Sequence, residues 1–356
     1  MTTGTFDQQK AEEFVGRVLS DTSAAMITTL CAIGDRLGLF QDLASAGPAT
    51  SEDFAARAGI NERYAREWLS ALAAAGYLTY EPSTATFRLP PEHAPALAQE
   101  AGPYFFGGVH QMLTGIGAAL EPLTEAFRAG GGVEQSRYGP DWWDGMERFT
   151  AAWVENLLVQ EWVPLVPEVR AKLEAGATVA DVGCGRGRAL VKLAQTFPNS
   201  TFVGYDVFVP SVEAATAKAK AAGVDDRVRF EHRDASGGLP ERFDVIWTLD
   251  VIHDAVDPIG LLRAIREALT DDGVYLCLDI NCSDKLEENA GPLGAMFLSF
   301  SVLYCMTTSL AHDGMGLGTV GLHEPKLREL AAEAGFGTVK RVEMENPFNN
   351  LYELRV

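Results

Sequence analysis

Five apolar, strand-like runs in the second half of a 356-residue chain close on aspartates: Asp181, Asp206, Asp234, Asp250 and Asp279. The first run, VADVGCGRG over Val179–Gly187, turns through Gly183, Gly185 and Gly187 into the helical stretch RALVKLAQTF. Strand, glycine turn and helix in that order offer a ligand bare backbone at a helix N-terminus. A dinucleotide fingerprint needs a small residue where this chain has Arg188, because the helix must pack closely on its strand there. Asp206, nineteen positions after Gly187, stands where a carboxylate meets both hydroxyls of an unphosphorylated ribose. Asp234, in HRDAS, ends the third run, where an adenine amino group can donate to it. Asp181 precedes the turn, where it would repel a pyrophosphate and attract an ammonium group.

Adenine, a free ribose diol, an α-amino group and no phosphate together describe S-adenosylmethionine. Just beyond the fourth run, LDVIHDAVDP places His253 near the methyl group that such a ligand presents. Imidazole is available as a base near neutral pH, and an acceptor hydroxyl must lose its proton as a methyl arrives. The competing role for His253 is to cap the helix that follows. Asp250 is the second catalytic candidate, orienting the cofactor or the acceptor. Asp250, Asp279 and Asn281 could instead hold Mg²⁺ through oxygen atoms, but the preferred reading needs no metal.

These residues need a sheet to bring them together. From about residue 175 onward, strands and helices alternate through TFVGYD, VRFEHRD, FDVIWTLD and GVYLCLDI, which predicts a doubly wound, mostly parallel, Rossmann-like α/β sheet. The closing runs TVKRVEME and NLYELRV lack a long helix between them and predict an antiparallel edge hairpin. In such a sheet the ligand lies beyond the C-terminal ends of the strands, where the five aspartates fall. The apolar, Met-rich insertion at about 284–318 is too long for a turn and reads as a lid over an apolar acceptor.

The first hundred residues differ in character. Residues 11–43 are helical and too apolar for one exposed face, so burial against a second copy, giving a homodimer, is expected. The stretch from Ser51 to Leu89 reads as a helix capped by Ser51, a turn at Gly59–Asn61, a second helix and a small hairpin, a winged helix-turn-helix outline. Over residues 1–95 acidic residues outnumber basic ones twelve to seven, and the whole chain carries a net charge of −20, which argues against nucleic acid or an anionic membrane as a partner. Residues 101–174 are read as a helical connector rich in aromatics. Phe106, Tyr138 and Trp142 from this region, with Phe297 and Tyr304 from the insertion, are the candidates to line an acceptor pocket. The five cysteines form no CxxC pair and are expected to be free thiols, and no basic leader or bilayer-length apolar stretch is read, so a cytoplasmic location is expected.

VADVGCGRG, VGYD, RDAS and FDVIWTLDVIHDAVDP follow one another at the intervals seen in class I S-adenosylmethionine-dependent methyltransferases. With AIGDRLGLF, CSDKLEENAGPLG and NPFNNLYELRV, the chain resembles the actinobacterial members that carry an N-terminal winged-helix dimerisation domain. The resemblance implies a mainly helical winged-helix domain at 1–100 and a catalytic domain at 175–356. It implies that Gly183 and Gly185 lie at the methionine part of the cofactor, Asp206 at the ribose, Asp234 and Ala235 at the adenine, and Leu249 beside the cofactor; Asp181 and Val207 are read as cofactor-binding with them. The HD pair at His253 resembles plant-type small-molecule O-methyltransferases, where the histidine takes the acceptor's proton; the tryptophan that follows there is Ala255 here. Two other functions compete with this one: a nicotinamide-dependent dehydrogenase, opposed by Arg188 and Asp181, and a winged-helix transcription regulator with a sensing methyltransferase-like domain, opposed by the acidic N-terminal region.

Overall fold

The computed structural model describes residues 6–356, which divide into two compact units, one of residues 6–115 and 140–152 and the other of residues 116–139 and 153–356.

The N-terminal unit opens on the helix Gln8–Arg36, which breaks at Leu37 and Gly38 before Leu39–Ala46. Gly38 adopts a left-handed φ of 68°, which a residue with a Cβ reaches only at a cost. Phe14, Val15, Leu19 and Met26 are exposed on the first helix. The helices Ser51–Ala58 and Glu62–Ala74 and the hairpin β1 (Thr79–Glu81) and β2 (Thr86–Arg88) make the winged outline. Ser51–Ala58 is capped by Thr50, whose side chain accepts from Asp53 N, and not by the expected Ser51, which is the helix's first residue. Ser51 Oγ instead donates to Glu62 Oε1 at 2.8 Å and ties the two helices together. The arginines of the second helix are spent on their own helix, Arg66 on Glu62 at 2.6 Å and Arg63 on Glu67. Further along, the helices Gly107–Gly115 and Pro140–Trp153 cross in backbone contact, since a Cβ on Gly108 would stand 2.5 Å from Phe149 N. Arg148 fixes the pair to the rest of the unit through both oxygens of Asp35, at 2.6 and 2.9 Å.

The larger unit is built on a seven-stranded sheet. Its strands are β3 (Thr178–Val182), β4 (Thr201–Asp206), β5 (Val228–His232), β6 (Phe243–Leu249), β7 (Leu269–Ile280), β8 (Thr338–Val342) and β9 (Asn349–Arg355), in the order β5-β4-β3-β6-β7-β9-β8. The first five are parallel, and β9 and β8 add an antiparallel edge, as the sequence predicts. Strands buried on both faces alternate between two cores. Val179, Phe202 and Trp247 face one of them with Leu190 and Trp162, while Ala180, Tyr205 and Ile246 face the other with Leu262 and Ile265.

After β7 the insertion forms a helical run, Pro292–Leu310, with π-helical winding over Ser301–Cys305. The run is 19 residues long, and 18 of them in succession have a mean hydropathy of 1.5, which corrects the expectation that no stretch approaches bilayer-spanning length. Length and composition alone give it that character. Within the unit it buries Ser301, Thr307, Thr308 and Ser309 along with its apolar side chains.

Candidate active site

The glycine turn follows β3 with Gly183, Gly185 and Gly187 all at left-handed φ, 74°, 52° and 73°. At Gly183 a Cβ would meet Val251 at 2.5 Å, and at Gly187 one would meet Phe230 at 2.5 Å, so close packing adds to the backbone requirement. The N–H groups of Gly183 and Cys184 both donate to Tyr205 O, Gly187 N donates to Cys184 O, and Gly185 N donates to Asp206 Oδ2 at 2.8 Å. These four donors are therefore committed inside the protein, and the turn does not offer them to a pyrophosphate. Asp206 Oδ1 accepts from Phe208 N at 2.8 Å, which aims the carboxylate across the mouth of the turn and leaves each oxygen a further lone pair. Asp181 is buried under the turn, and its Oδ1 has no hydrogen-bond partner among the described residues. Burial first, and then the charge of Asp206, push its carboxyl up to about 7. A cation placed there would remove that penalty.

At the ends of the other strands, Asp234 is exposed and caps a short turn, accepting from Ser236 N at 3.0 Å, with Ala235 buried behind it. Val207 is 55% exposed beyond β4, and Leu249, partly buried, ends β6. Asp250 follows with a left-handed φ of 57°, unusual for a residue with a side chain. Two contacts hold it there: its N–H donates to Leu278 O at 2.9 Å, and its Oδ1 accepts from Asn349 Nδ2 at 2.7 Å. Burial, then repulsion from Asp279, raise the Asp250 carboxyl above the usual range.

His253 is buried, only 3% exposed, on the turn Ile252–Asp254. It does not cap the following helix, Pro258–Ala268, because Asp257 does so by accepting from Gly260 N. Its Nδ1 lies 2.6 Å from Oδ1 of the fully buried Asp279, at the end of β7. A carboxylate only accepts, so Nδ1 carries the proton of that bond, and the neutral form of the ring has its lone pair on Nε2. Nε2 points toward Asp254, 3.1 Å from an Oδ1 outside hydrogen-bonding geometry. Burial opposes a charge on the ring, but Asp279 and Asp254 outweigh it and hold the imidazole well above its usual value of 6.5. Asp279 is thus the imidazole's partner, a role that β-strand order assigns and spacing along the chain does not show. Asn281 donates to Asn346 O at 3.1 Å and accepts from Asn350 at 3.1 Å.

The insertion reaches this turn. Ser309 Oγ donates to Ala255 O at 3.0 Å, Met315 N to Val256 O at 3.0 Å, and Gly318 N to His253 O at 3.1 Å. Tyr304 meets Tyr138 edge-on at 5.0 Å, and Phe297 meets Phe348 at 6.2 Å, so these aromatic candidates belong to one unit. Phe106 and the fully buried Trp142 belong to the other.

Residues 25–99 match the Rv2258c-like winged HTH domain, and residues 173–312 match a methyltransferase domain. A ubiquinone biosynthesis O-methyltransferase of Dinoroseobacter shibae is 25% identical over 152 residues, 41% of this chain and 60% of that protein. The 27-O-demethylrifamycin SV methyltransferase of Amycolatopsis mediterranei is 36% identical over 104 residues, 28% of this chain and 38% of that protein. The chain therefore matches less than two thirds of the length of either relative. Among solved structures, human N-acetylserotonin methyltransferase in complex with SAM superimposes with a TM-score of 0.68 at 17% identity, covering 100% of this chain and 99% of that one. At that identity the likeness is one of fold.

Proposed function

We propose that this chain, which belongs to the methyltransferases that carry an Rv2258c-like winged helix-turn-helix domain ahead of the catalytic domain, methylates a hydroxyl of an apolar, aromatic small molecule with S-adenosylmethionine. The observation that carries the reading is the buried His253–Asp279 pair at the end of β6, 2.6 Å between Nδ1 and Oδ1. In the neutral ring it leaves Nε2 with a lone pair at the strand end where the family presents its methyl donor.

The residues around the glycine turn fit that donor. Its committed N–H groups disfavour a pyrophosphate, and the buried, unpartnered Asp181 Oδ1 favours an ammonium group. When bound, S-adenosylmethionine supplies a methyl group on a positively charged sulfur. Asp181, Gly183 and Gly185 hold its amino-acid end, Asp206 accepts from the ribose hydroxyls, and Val207 lies beside them. Asp234 and Ala235 border the adenine, and Leu249 closes the near side. His253 takes the acceptor's proton at Nε2, while Asp279 keeps Nδ1 protonated and stabilises the imidazolium that results. Asp250 orients the groups that meet in front of the histidine. Tyr138, Phe297 and Tyr304 offer an apolar, aromatic wall, and the insertion pinned to the His253 turn excludes water, so its displacement admits the acceptor.

The test is incubation with labelled S-adenosylmethionine and a panel of phenols, with mass analysis of the products. Methylated phenol is the expected outcome; affinity for a nicotinamide dinucleotide and none for S-adenosylmethionine in calorimetry would overturn the reading. Asp206→Ala is expected to weaken S-adenosylmethionine binding by about 10- to 150-fold, because the ribose loses a charged acceptor worth roughly 1.5–3 kcal/mol. Calorimetric affinities of the two proteins check this, and equal values remove Asp206 from the site.

The exposed row Phe14, Val15, Leu19 and Met26 on the helix Gln8–Arg36 is proposed to be covered by a second copy of the chain, since apolar patches of this kind mark interfaces. Phe14→Asp combined with Leu19→Asp is expected to give a monomer by light scattering; a wild-type protein that is itself monomeric refutes the homodimer. Pairing of Arg63 and Arg66 with glutamates of their own helix supports this assembly role over binding to DNA.

A further inference from the structure

His253 has two sides, and the proposed chemistry uses Nδ1 to hold the ring and Nε2 to take a proton. Nε2 does not face an apolar wall. Asp254 Oδ1 stands 3.1 Å away, buried and without a hydrogen-bond partner. Cys305 Sγ, at the end of the π-helical turn Ser301–Cys305, completes a group whose three ligand atoms all lie within 4.8 Å of one another. Imidazole nitrogen, carboxylate oxygen and thiolate sulfur form a donor set for a borderline-soft divalent ion. A tetrahedral zinc ion with bonds of about 2.0–2.3 Å places its donors about 3.3–3.8 Å apart, so a small closing movement suffices.

The other side of the ring points the same way. A metal-bound histidine characteristically donates its second N–H to a carboxylate, which fixes the tautomer and makes the free nitrogen a better donor. His253 already has that arrangement through Asp279. With the ring neutral and the cysteine and aspartate ionised, a divalent cation balances the charge of its own three ligands and gives the buried Asp254 Oδ1 a partner. Asp254, with its side chain 27% exposed, provides the way in from solvent.

We propose that His253 Nε2, Asp254 Oδ1 and Cys305 Sγ form a site for zinc or a chemically similar divalent cation, and that its occupancy blocks methyl transfer. Binding needs only these three residues. Inhibition rests on the function proposed above, because the cation takes the lone pair that the acceptor's proton requires.

The experiment uses the full-length protein stripped of metal by a chelator. Cobalt(II) is the spectroscopic probe and zinc(II) the inhibitor, with magnesium(II) as the control for a hard cation. Cobalt is expected to give near-ultraviolet thiolate absorption and intense tetrahedral visible bands in the wild type, both lost in Cys305→Ala. Zinc is expected to inhibit methyl transfer reversibly, with chelator restoring activity. Cys305→Ala should keep its metal-free rate and require at least about 10-fold more zinc for the same inhibition, the scale on which a lost ligand or supporting group acts. Circular dichroism confirms that the variant is folded; if it is not, Cys305→Ser, closer in size and without the thiolate, replaces it. Cobalt spectra that are the same with and without the Cys305 thiol, or equal zinc sensitivity of the two proteins, overturn the proposal. A Cys305-dependent cobalt spectrum in a protein that methylates nothing sustains the site and refutes the enzymatic reading instead. Active enzyme indifferent to zinc does the reverse.

Discussion

His253→Ala is expected to lower turnover by about 10²- to 10⁴-fold, roughly 2.7–5.5 kcal/mol of transition-state stabilisation, with S-adenosylmethionine affinity unchanged. The expectation follows from the position of His253, which stands at the end of β6 and contacts Asp279 and Asp254 instead of the glycine turn. On the proposed function its removal takes away a proton acceptor and leaves the proposed cofactor contacts in place. The pH profile carries a second signature. Only the neutral ring accepts a proton, and Asp279 and Asp254, working against burial, hold the imidazole well above 6.5. The wild-type rate should therefore begin to fall at a pH above the ordinary histidine value as the solution is acidified, and the alanine variant should lose that limb. Turnover numbers across a pH series, with calorimetric cofactor affinities, check both points. An alanine variant with wild-type turnover and an unaltered acid limb would leave His253 without a catalytic role.

Asp279→Asn should lower the maximal rate by about 10²- to 10⁴-fold, the upper figure being the scale on which loss of a histidine's orienting carboxylate acts in hydrolytic triads. An amide can donate to Nδ1 and so favour the wrong tautomer, in which Nε2 carries the proton and cannot accept one. The same change should move the acid limb to lower pH, because the largest charge raising the imidazole's pKa is gone. A substitution that merely loosened the fold would lower the rate without moving the limb. Stability offers an independent check. A histidine whose folded pKa lies above its unfolded one contributes stability below about 6.5, and that contribution is lost as pH rises through the raised value. Asp279→Asn loses this contribution, so its deficit in unfolding free energy should be largest at mildly acidic pH and shrink toward alkaline pH. An acid limb that stays in place would show that Asp279 does not set the protonation of His253.

How much of this was legible in the sequence follows from what kind of interaction made each feature. The alternation of apolar runs and amphipathic stretches specifies strands and helices locally, and β3 to β9 form where those runs lie. The GxGxG turn announces itself because left-handed φ at Gly183, Gly185 and Gly187 excludes most other residues. Asp181 and Asp206 could be singled out because both flank that turn within one βαβ unit. Cap residues were less readable: Thr50 and Ser51 are both good caps by type, and only the contact of Ser51 with Glu62 decides which one turns back on the helix.

The partners of His253 lie in another class. Its carboxylate comes from β7, and β7 lies beside β6 with Leu249 opposite Leu278, so Asp250, just past the end of β6, and Asp279, still within β7, stand at neighbouring strand ends. Asn349, which holds Asp250 in its left-handed conformation, arrives from an antiparallel strand ninety-nine residues away, and Cys305 from a helical insertion. No periodicity relates these positions, because their meeting depends on strand order, register and the path of the insertion. The sequence by itself determined the elements, the turn and the class of ligand, since backbone conformation and residue chemistry act over a few neighbouring positions. The tertiary structure alone decided which carboxylate faces the imidazole, since burial and charge act through space among residues far apart in the chain.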